Sequence, residues 1–130
     1  MRIGRRTMIA GMAGLASLGL APPARAGGGT TMYGLIGKMT AIPGQRDALT
    51  AILLEGLTGM PGCLSYIVAH DPVEGDVLWI TEVWADEAAH SASLQLPAVR
   101  EAIRQGRPLI AAFGAPQVTT PVGGAGLVRP

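Results

Sequence analysis

The sequence is short of several residue types, and each shortage excludes a class of protein. Its 130 residues contain one cysteine, Cys63, which excludes an intrachain disulfide framework and a metal site built only from cysteines. No run of lysine or arginine follows residue 30 and the formal net charge is +1, so an electrostatic nucleic-acid binder is not expected. Asparagine is absent altogether. The length suits one compact domain.

The first 26 residues have the pattern of an export signal. Arginines precede an apolar run from Met8 to Leu20, and the small-residue segment Ala24–Ala26 follows, which predicts a signal peptide cleaved after Ala26. The pair Arg5-Arg6 resembles a twin-arginine signal and predicts export to the periplasm. A membrane anchor is the alternative, but a run of about 13 apolar residues is shorter than the roughly 20 that span a bilayer. We therefore expect no membrane contact after cleavage.

Glycine and proline mark the borders of the folded unit. They concentrate before residue 32 and after residue 120, which places a domain at 32–120 between a spacer at 27–31 and a flexible tail at 121–130. Removal of the signal takes away four of the ten basic residues. The six that remain face nine acidic residues, so the mature chain has a formal charge of −3.

The spacing of apolar residues predicts an α+β fold. Asp86 suits a helix N-cap and Pro97 a first helical position. Strands are predicted at 32–39, 63–70, 77–84 and 115–120, and helices at 45–57, 86–94 and 97–105, with a small apolar stretch at 109–113. The order β-α-β-β-α-β is the ferredoxin-like split arrangement. Its helices cover one sheet face, so we expect a second copy of the chain to cover the other as a homodimer.

Four short segments in this order resemble one known family. They are IPGQRD at 42–47, PGCLSY at 61–66, ITEVW at 80–84 and LPAV at 96–99, and the likeness extends from about Tyr33 to Gly124. Together they resemble the antibiotic biosynthesis monooxygenases, which are dimeric α+β barrels. The resemblance implies oxidation of an electron-rich quinol or polycyclic phenol by O2 with no metal, flavin or haem cofactor. The protein would then remove a proton, stabilise the anion and keep the pocket dry.

The resemblance also implies site residues. Trp84 matches a tryptophan that the anthrone-oxidising members use at the end of the third strand. His90 stands where those members have a tyrosine, and it could exchange a proton near neutral pH. Arg104 falls near a family arginine that would bind a substrate anion. Ile80 stands in the neighbourhood of a family asparagine, so one polar substrate contact is missing here.

Each of these candidates also has a purely structural interpretation. Trp84 is either a pocket wall or a core aromatic, and Tyr66 either packs in the sheet or presents its hydroxyl to the barrel. Glu82 shares a strand face with Trp84, where it could share a proton with His90 or pair with Arg104 or Lys38. The remaining alternatives are that His90 pairs with Glu87 on the helix surface and that Arg104 is an exposed helix charge.

Three other interpretations compete with the monooxygenase. A metal site would need His70, His90, Glu82 and perhaps Asp71 to converge, but their spacing matches no known ligand pattern. Haem degradation in related folds depends on an asparagine and on a histidine about ten residues past the tryptophan, where this chain has Leu94. The main alternative is a non-catalytic dimeric barrel that binds a small apolar or aromatic ligand.

Overall fold

The computed structural model describes residues 31–128. The predicted signal peptide, its cleavage site and nearly all of the spacer lie outside these residues. Within 31–128, none of the helices has the length and apolar character needed to cross a membrane.

Five strands and three α-helices make up the described part of the chain. They are β1 (Tyr33–Ala41), α1 (Arg46–Gly56), β2 (Cys63–His70), β3 (Val77–Trp84), α2 (Glu87–Ser93), α3 (Pro97–Gly106), a 3₁₀ turn (Arg107–Leu109), β4 (Ile110–Phe113) and β5 (Gln117–Thr119). The bounds of β2 and β3 are those that the sequence predicts. The helix signals also hold: the Asp86 carboxylate accepts a hydrogen bond from the Ala89 N–H at 2.7 Å, and Pro97 opens α3.

The strands form one antiparallel sheet in the order β2-β3-β1-β4. This order, with helices between the strands, confirms the ferredoxin-like α+β fold. One correction concerns the last strand. The apolar stretch at 109–113 supplies β4, which pairs with the end of β1, and the predicted final strand shortens to β5, which pairs with Gly34–Ile36.

Two buried clusters fill the space between the sheet and the helices. Leu49 and Leu53 of α1 pack against Leu78 and Ile80 of β3 in the first cluster. Trp84, Met60 and Val99 form the second, near the end of β3. Alternate residues of β3 point to opposite faces of the sheet, so the even-numbered Leu78, Ile80 and Trp84 supply its members of the two clusters.

Asp71 organises the turn between β2 and β3. Its Oδ1 accepts hydrogen bonds from the backbone N–H groups of Val73 at 2.9 Å and Glu74 at 2.8 Å, and its Oδ2 accepts one from the Trp79 indole at 2.9 Å. These donors, the Glu74 N–H foremost and then the indole, lower the pKa of Asp71 to about 2. The turn is therefore fixed by an ionised carboxylate.

The sheet face away from the helices carries exposed apolar side chains. Ile36, Ile67 and Trp79 lie there on three neighbouring strands. At one end of the sheet the chain continues beyond β5, and the Val128 N–H donates a 2.9 Å hydrogen bond to the Leu64 carbonyl of β2. The segment predicted as a flexible tail thus forms, near its own end, a backbone hydrogen bond with the strand at the opposite edge of the sheet.

Candidate active site

A cavity of about 200 Å³ lies between the sheet and the helices. Most of its wall is apolar, and its lining residues come from every helix and from β2, β3 and β4: Leu49, Leu53, Leu57, Met60, Tyr66, Glu82, Trp84, His90, Ser93, Leu94, Val99, Ala102, Ile103, Gly106, Arg107, Ile110 and Phe113. Such a wall with few polar groups is typical of a site for a small aromatic molecule.

Glu82 and Trp84 bring polar atoms to one end of this cavity. The two-residue period of β3 places both side chains on the helix side of the sheet. The Trp84 indole Nε1–H donates a 2.8 Å hydrogen bond to Glu82 Oε1. Trp84 is 1% exposed, so it is both a core aromatic and a wall of the cavity. A buried indole needs an acceptor, and Glu82 supplies it.

His90 joins them from helix α2. Two residues link the end of β3 to the start of this helix, and His90 lies at the end of its first turn, close to the end of the strand. His90 Nε2 lies 3.9 Å from Glu82 Oε1, with both side chains about four-fifths buried, at 21% and 18% exposed. The predicted proximity of His90 to Glu82 is therefore found in the structure, whereas the alternative that set His90 beside Glu87 is not what the geometry shows.

Two aromatic rings hold the imidazole in place. The Trp84 ring meets it edge-on, with centroids 5.5 Å apart and planes at 72°, and the Tyr33 ring lies 5.4 Å away at 39°. Tyr33 was not among the predicted site residues. The strand register reveals its place, because Tyr33 pairs with Trp84 across β1 and β3, and no local sequence pattern specifies that pairing. Burial, followed by the charges of Glu87 and Glu82, raises the pKa of Tyr33, which keeps its hydroxyl protonated.

Tyr66 lines the cavity opposite Glu82. The pairing register of β2 against β3 shifts between Cys63 and Ser65, which interrupts the regular alternation of side chains at Leu64. Beyond this shift, Tyr66 is the pairing partner of Glu82, and both residues line the cavity. Burial raises the pKa of the Tyr66 phenol far above its ordinary value, and the nearby Glu82 charge adds to the shift. This hydroxyl is therefore a hydrogen-bond donor at every physiological pH.

Arg104 does not reach the cavity. It is 72% exposed and forms a 2.6 Å ion pair between its Nη2 and Glu101 Oε2, one turn earlier on α3. The buried face of this helix is formed by Val99, Ala102 and Gly106, and the helical period turns position 104 away from it. The predicted pairing of Arg104 with Glu82 is thus corrected, and the exposed-charge interpretation describes its position. Lys38 is not beside Glu82 either, since its Nζ lies 5.7 Å from the centre of the exposed Trp79 ring.

Ile80 also differs from its predicted place. It shares a face with Glu82, but it packs into the first core cluster with Leu49 and Leu78 and does not line the cavity. An apolar side chain is what such a position requires. Ile80 therefore has a core position in this structure, and it leaves the polar end of the cavity to Glu82 and His90.

The four residues considered as metal ligands do not converge on one point, although His90 and Glu82 lie close together. Among residues 31–128, no three His, Cys, Asp or Glu side chains cluster in a way that could hold a metal ion. His70 Nε2 instead lies 2.8 Å from the Thr50 hydroxyl. The Cys63 thiol is partly buried, which raises its pKa, and it donates to the Ser65 carbonyl at 3.6 Å.

The spacing of Glu82 and His90 suits one shared hydrogen-bonding partner. At 3.9 Å, Nε2 and Oε1 are too far apart for a hydrogen bond to each other. An oxygen beside the pair, about 2 Å to one side of the line that joins the two atoms, would lie about 2.8 Å from both, which is ordinary hydrogen-bond distance. The polar end of the cavity can therefore take hold of a single hydroxyl group.

Comparisons with known proteins agree with this architecture. The family model for antibiotic biosynthesis monooxygenase matches residues 32–105. A crystal structure from Chloroflexus aurantiacus, named for the same family, is 63% identical, covers 75% of this chain and 99% of its own, and has a TM-score of 0.73. Structures from Pseudomonas aeruginosa and Mycobacterium tuberculosis, each 23% identical, share the fold.

The Pseudomonas protein covers 72% of this chain and 97% of its own with a TM-score of 0.64. The Mycobacterium protein covers 73% and 99% with a TM-score of 0.62. A search of curated proteins finds no match. The family model and the Chloroflexus structure both match most of the described residues, and the chain belongs to the antibiotic biosynthesis monooxygenase family.

Proposed function

We propose that this protein is a monooxygenase that uses O2 to oxidise an electron-rich polycyclic phenol or quinol inside the cavity, without a cofactor. The observation that carries the proposal is the Glu82–His90 pair, spaced to receive one hydroxyl, at the end of an otherwise apolar cavity of about 200 Å³. That volume is below the size of typical drug-binding pockets, so the substrate is a small aromatic molecule.

The first step is removal of the substrate's hydroxyl proton. His90 Nε2 lies beside Glu82 Oε1, which accepts the Trp84 indole hydrogen, and in the tautomer that the proposal requires Nε2 carries the lone pair. The proton passes from the hydroxyl to Nε2, with His90 as general base. The imidazolium that forms lies next to the Glu82 carboxylate, and their opposite charges stabilise it.

The electrons for the reaction come from the substrate itself. The phenolate gives one electron to O2, which yields a phenoxyl radical and superoxide. Their recombination forms a carbon–oxygen bond at a ring carbon that carries hydrogen, and the peroxide anion takes back the proton that the His90 imidazolium holds. The hydroperoxide then loses water, which includes the hydrogen from that ring carbon, and leaves a new carbonyl. One oxygen atom enters the product and the other leaves as water. The Tyr66 hydroxyl, which stays protonated, is suited to donate to a substrate oxygen as negative charge develops.

The proposal extends to assembly and location. The exposed Ile36, Ile67 and Trp79 side chains support a homodimer in which a second copy covers this sheet face. The twin-arginine pattern at the start of the chain supports export to the periplasm. Sedimentation of the mature protein and fractionation of cells that express the full chain test these two points.

Oxygen uptake by metal-free protein with menadiol tests the reaction. The wild-type rate should exceed uncatalysed autoxidation, and His90→Ala should lower it about 100-fold, because a positioned general base contributes at least that much. His70→Ala is the matched control, since His70 lies away from the cavity and should leave the rate unchanged. Circular dichroism should show both variants folded. A wild-type rate equal to autoxidation would leave the non-catalytic binding barrel as the function.

A further inference from the structure

Arg107 brings a positive charge to the wall of the cavity. It is the first residue of the 3₁₀ turn that follows α3, and it lines the cavity. The other lining side chains from the described residues include one carboxylate, one imidazole and no lysine or second arginine. The cavity therefore has one permanent cation.

The strand register sets how far the two charged ends lie from each other. Glu82 is opposite Leu35 of β1, and Ile110, three residues after Arg107, is opposite Ala41. Six residues of β1 separate these two positions, or about 20 Å at the usual rise of a strand. The long side chains of both charged residues shorten that gap. Between the two ends the wall is apolar, with Leu49, Leu53 and Val99 among its residues.

The Arg107 guanidinium is also available for a ligand. Within residues 31–128, the ion pairs are His90 with Glu82 and Arg104 with Glu101, and Arg107 takes part in neither. Arg107 is exposed to solvent as well as lining the cavity, so it borders the opening. Arg104, three residues earlier, already has its carboxylate partner and lies outside the cavity.

We propose that Arg107 determines substrate specificity by binding an acidic substituent, so that the substrate is an aromatic hydroxy acid whose carboxylate lies at the far end from the reacting hydroxyl. This inference rests on the proposed function, because it takes the Glu82–His90 end as the place where the hydroxyl binds. A guanidinium fork matches a carboxylate with two parallel hydrogen bonds, which a neutral ring cannot form. The apolar wall between the ends accommodates the rings.

Calorimetric titration without turnover tests the inference. The three probes are naphthol and two isomers of hydroxynaphthoate. One isomer has its hydroxyl and its carboxylate on opposite rings, and the other has them on adjacent carbons. The opposite-ring isomer should bind the wild type more tightly than the other two. Arg107→Gln should weaken its binding about tenfold and leave naphthol within about twofold, because only the carboxylate contact is lost. Arg104→Gln is the matched control and should change neither affinity.

Each outcome of the titration either supports or overturns the role of Arg107 in substrate specificity. Equal affinities for the three probes, or an Arg107→Gln variant with unchanged preference, would overturn the role of Arg107. An equal loss in Arg104→Gln would also overturn it, since general surface charge would then explain the preference. A failure of the proposed function would give a different result. The opposite-ring isomer would still bind more tightly than the other two probes, while oxygen uptake stayed at the autoxidation rate.

Discussion

Strand β3 contains two tryptophans that make the same hydrogen bond with different consequences. The Trp84 indole donates to Glu82 at 2.8 Å, and the Trp79 indole donates to Asp71 at 2.9 Å. Five residues separate them, so they lie on opposite faces and near opposite ends of the strand. Trp84 is 1% exposed, whereas Trp79 is 38% exposed.

The surroundings of each carboxylate explain the difference. Asp71 accepts hydrogen bonds from two backbone N–H groups besides the indole, so most of its acceptor positions are used in fixing a turn. Glu82 accepts the indole hydrogen on one oxygen and faces a cavity beside His90. An indole–carboxylate pair therefore stabilises a turn when the acid has further donors in the protein. Under the proposed function, the pair supports chemistry when the acid keeps an oxygen free in a partly buried site.

The largest expected difference between the two ends is in stability. Trp84→Ala should lower the free energy of unfolding by about 3–5 kcal/mol, because it leaves a cavity in the second core cluster. Within a single chain, Trp79→Ala should cost about 1 kcal/mol, since the ring is part-exposed there, and unfolding is measured at a protein concentration at which the proposed dimer is dissociated. Urea unfolding measures both. Losses of equal size would mean that burial does not distinguish the two indoles.

The next difference is in catalysis. Glu82→Gln should lower kcat about tenfold to a hundredfold with little change in KM, since the neutral amide can still accept the indole hydrogen but no longer stabilises an imidazolium. Asp71→Asn is the matched change at the other end and should leave kcat as it is. Steady-state oxygen uptake compares them. A fall in kcat for Asp71→Asn as large as that for Glu82→Gln would contradict the division into a chemical and a structural end.

The smallest effect is a pH dependence confined to the Asp71 end. The pKa of this carboxyl is 3.8 in an ordinary setting and about 2 in the folded protein, so its ionised form stabilises the fold. That stabilisation is complete well above pH 3.8 and is lost as the pH falls towards 2. Urea unfolding should therefore show that the difference in free energy of unfolding between wild type and Asp71→Asn is constant near neutral pH. That difference should become smaller as the pH falls from 3.8 towards 2.

Other acidic groups cancel in that comparison. The low pKa of Glu101, held down mainly by hydrogen bonds from Arg104, is the same in both proteins. Trp79→Phe provides a further control, because it removes one of the three donors to Asp71 and should shrink the acid-sensitive gap without abolishing it. A gap that stays constant down to pH 2 would show that the Asp71 charge does not stabilise the turn.

The sequence predicts the regular elements well where local patterns are strong. Alternating residues bounded by turn residues located β2 and β3 to their ends, and Asp86 and Pro97 located two helix starts. The bounds of the short strands β4 and β5 were harder to predict, because each strand has at most four residues and depends on pairing with a different half of β1. Such strands gain little from their own sequence and form where an edge is free.

The candidate site shows the same limit. The shared face of Glu82 and Trp84 follows from the period of one strand, whereas the family resemblance is what named Trp84 and His90 as site residues. Arg104 was placed in the site by family resemblance, although the period of α3 with its buried Val99 and Ala102 turns it outward. Tyr33 and Arg107 escaped notice because their parts depend on partners far away in the chain.

The sequence by itself determined the order of the elements and the faces that they bury. These depend on periodicity, turn residues and caps, which act over a few residues. The tertiary structure alone decided that Glu82, His90 and Tyr33 meet, that Arg104 pairs with Glu101 outside, and that Arg107 borders the cavity. The reason is physical: contacts between distant segments depend on register and packing, which a local pattern does not specify.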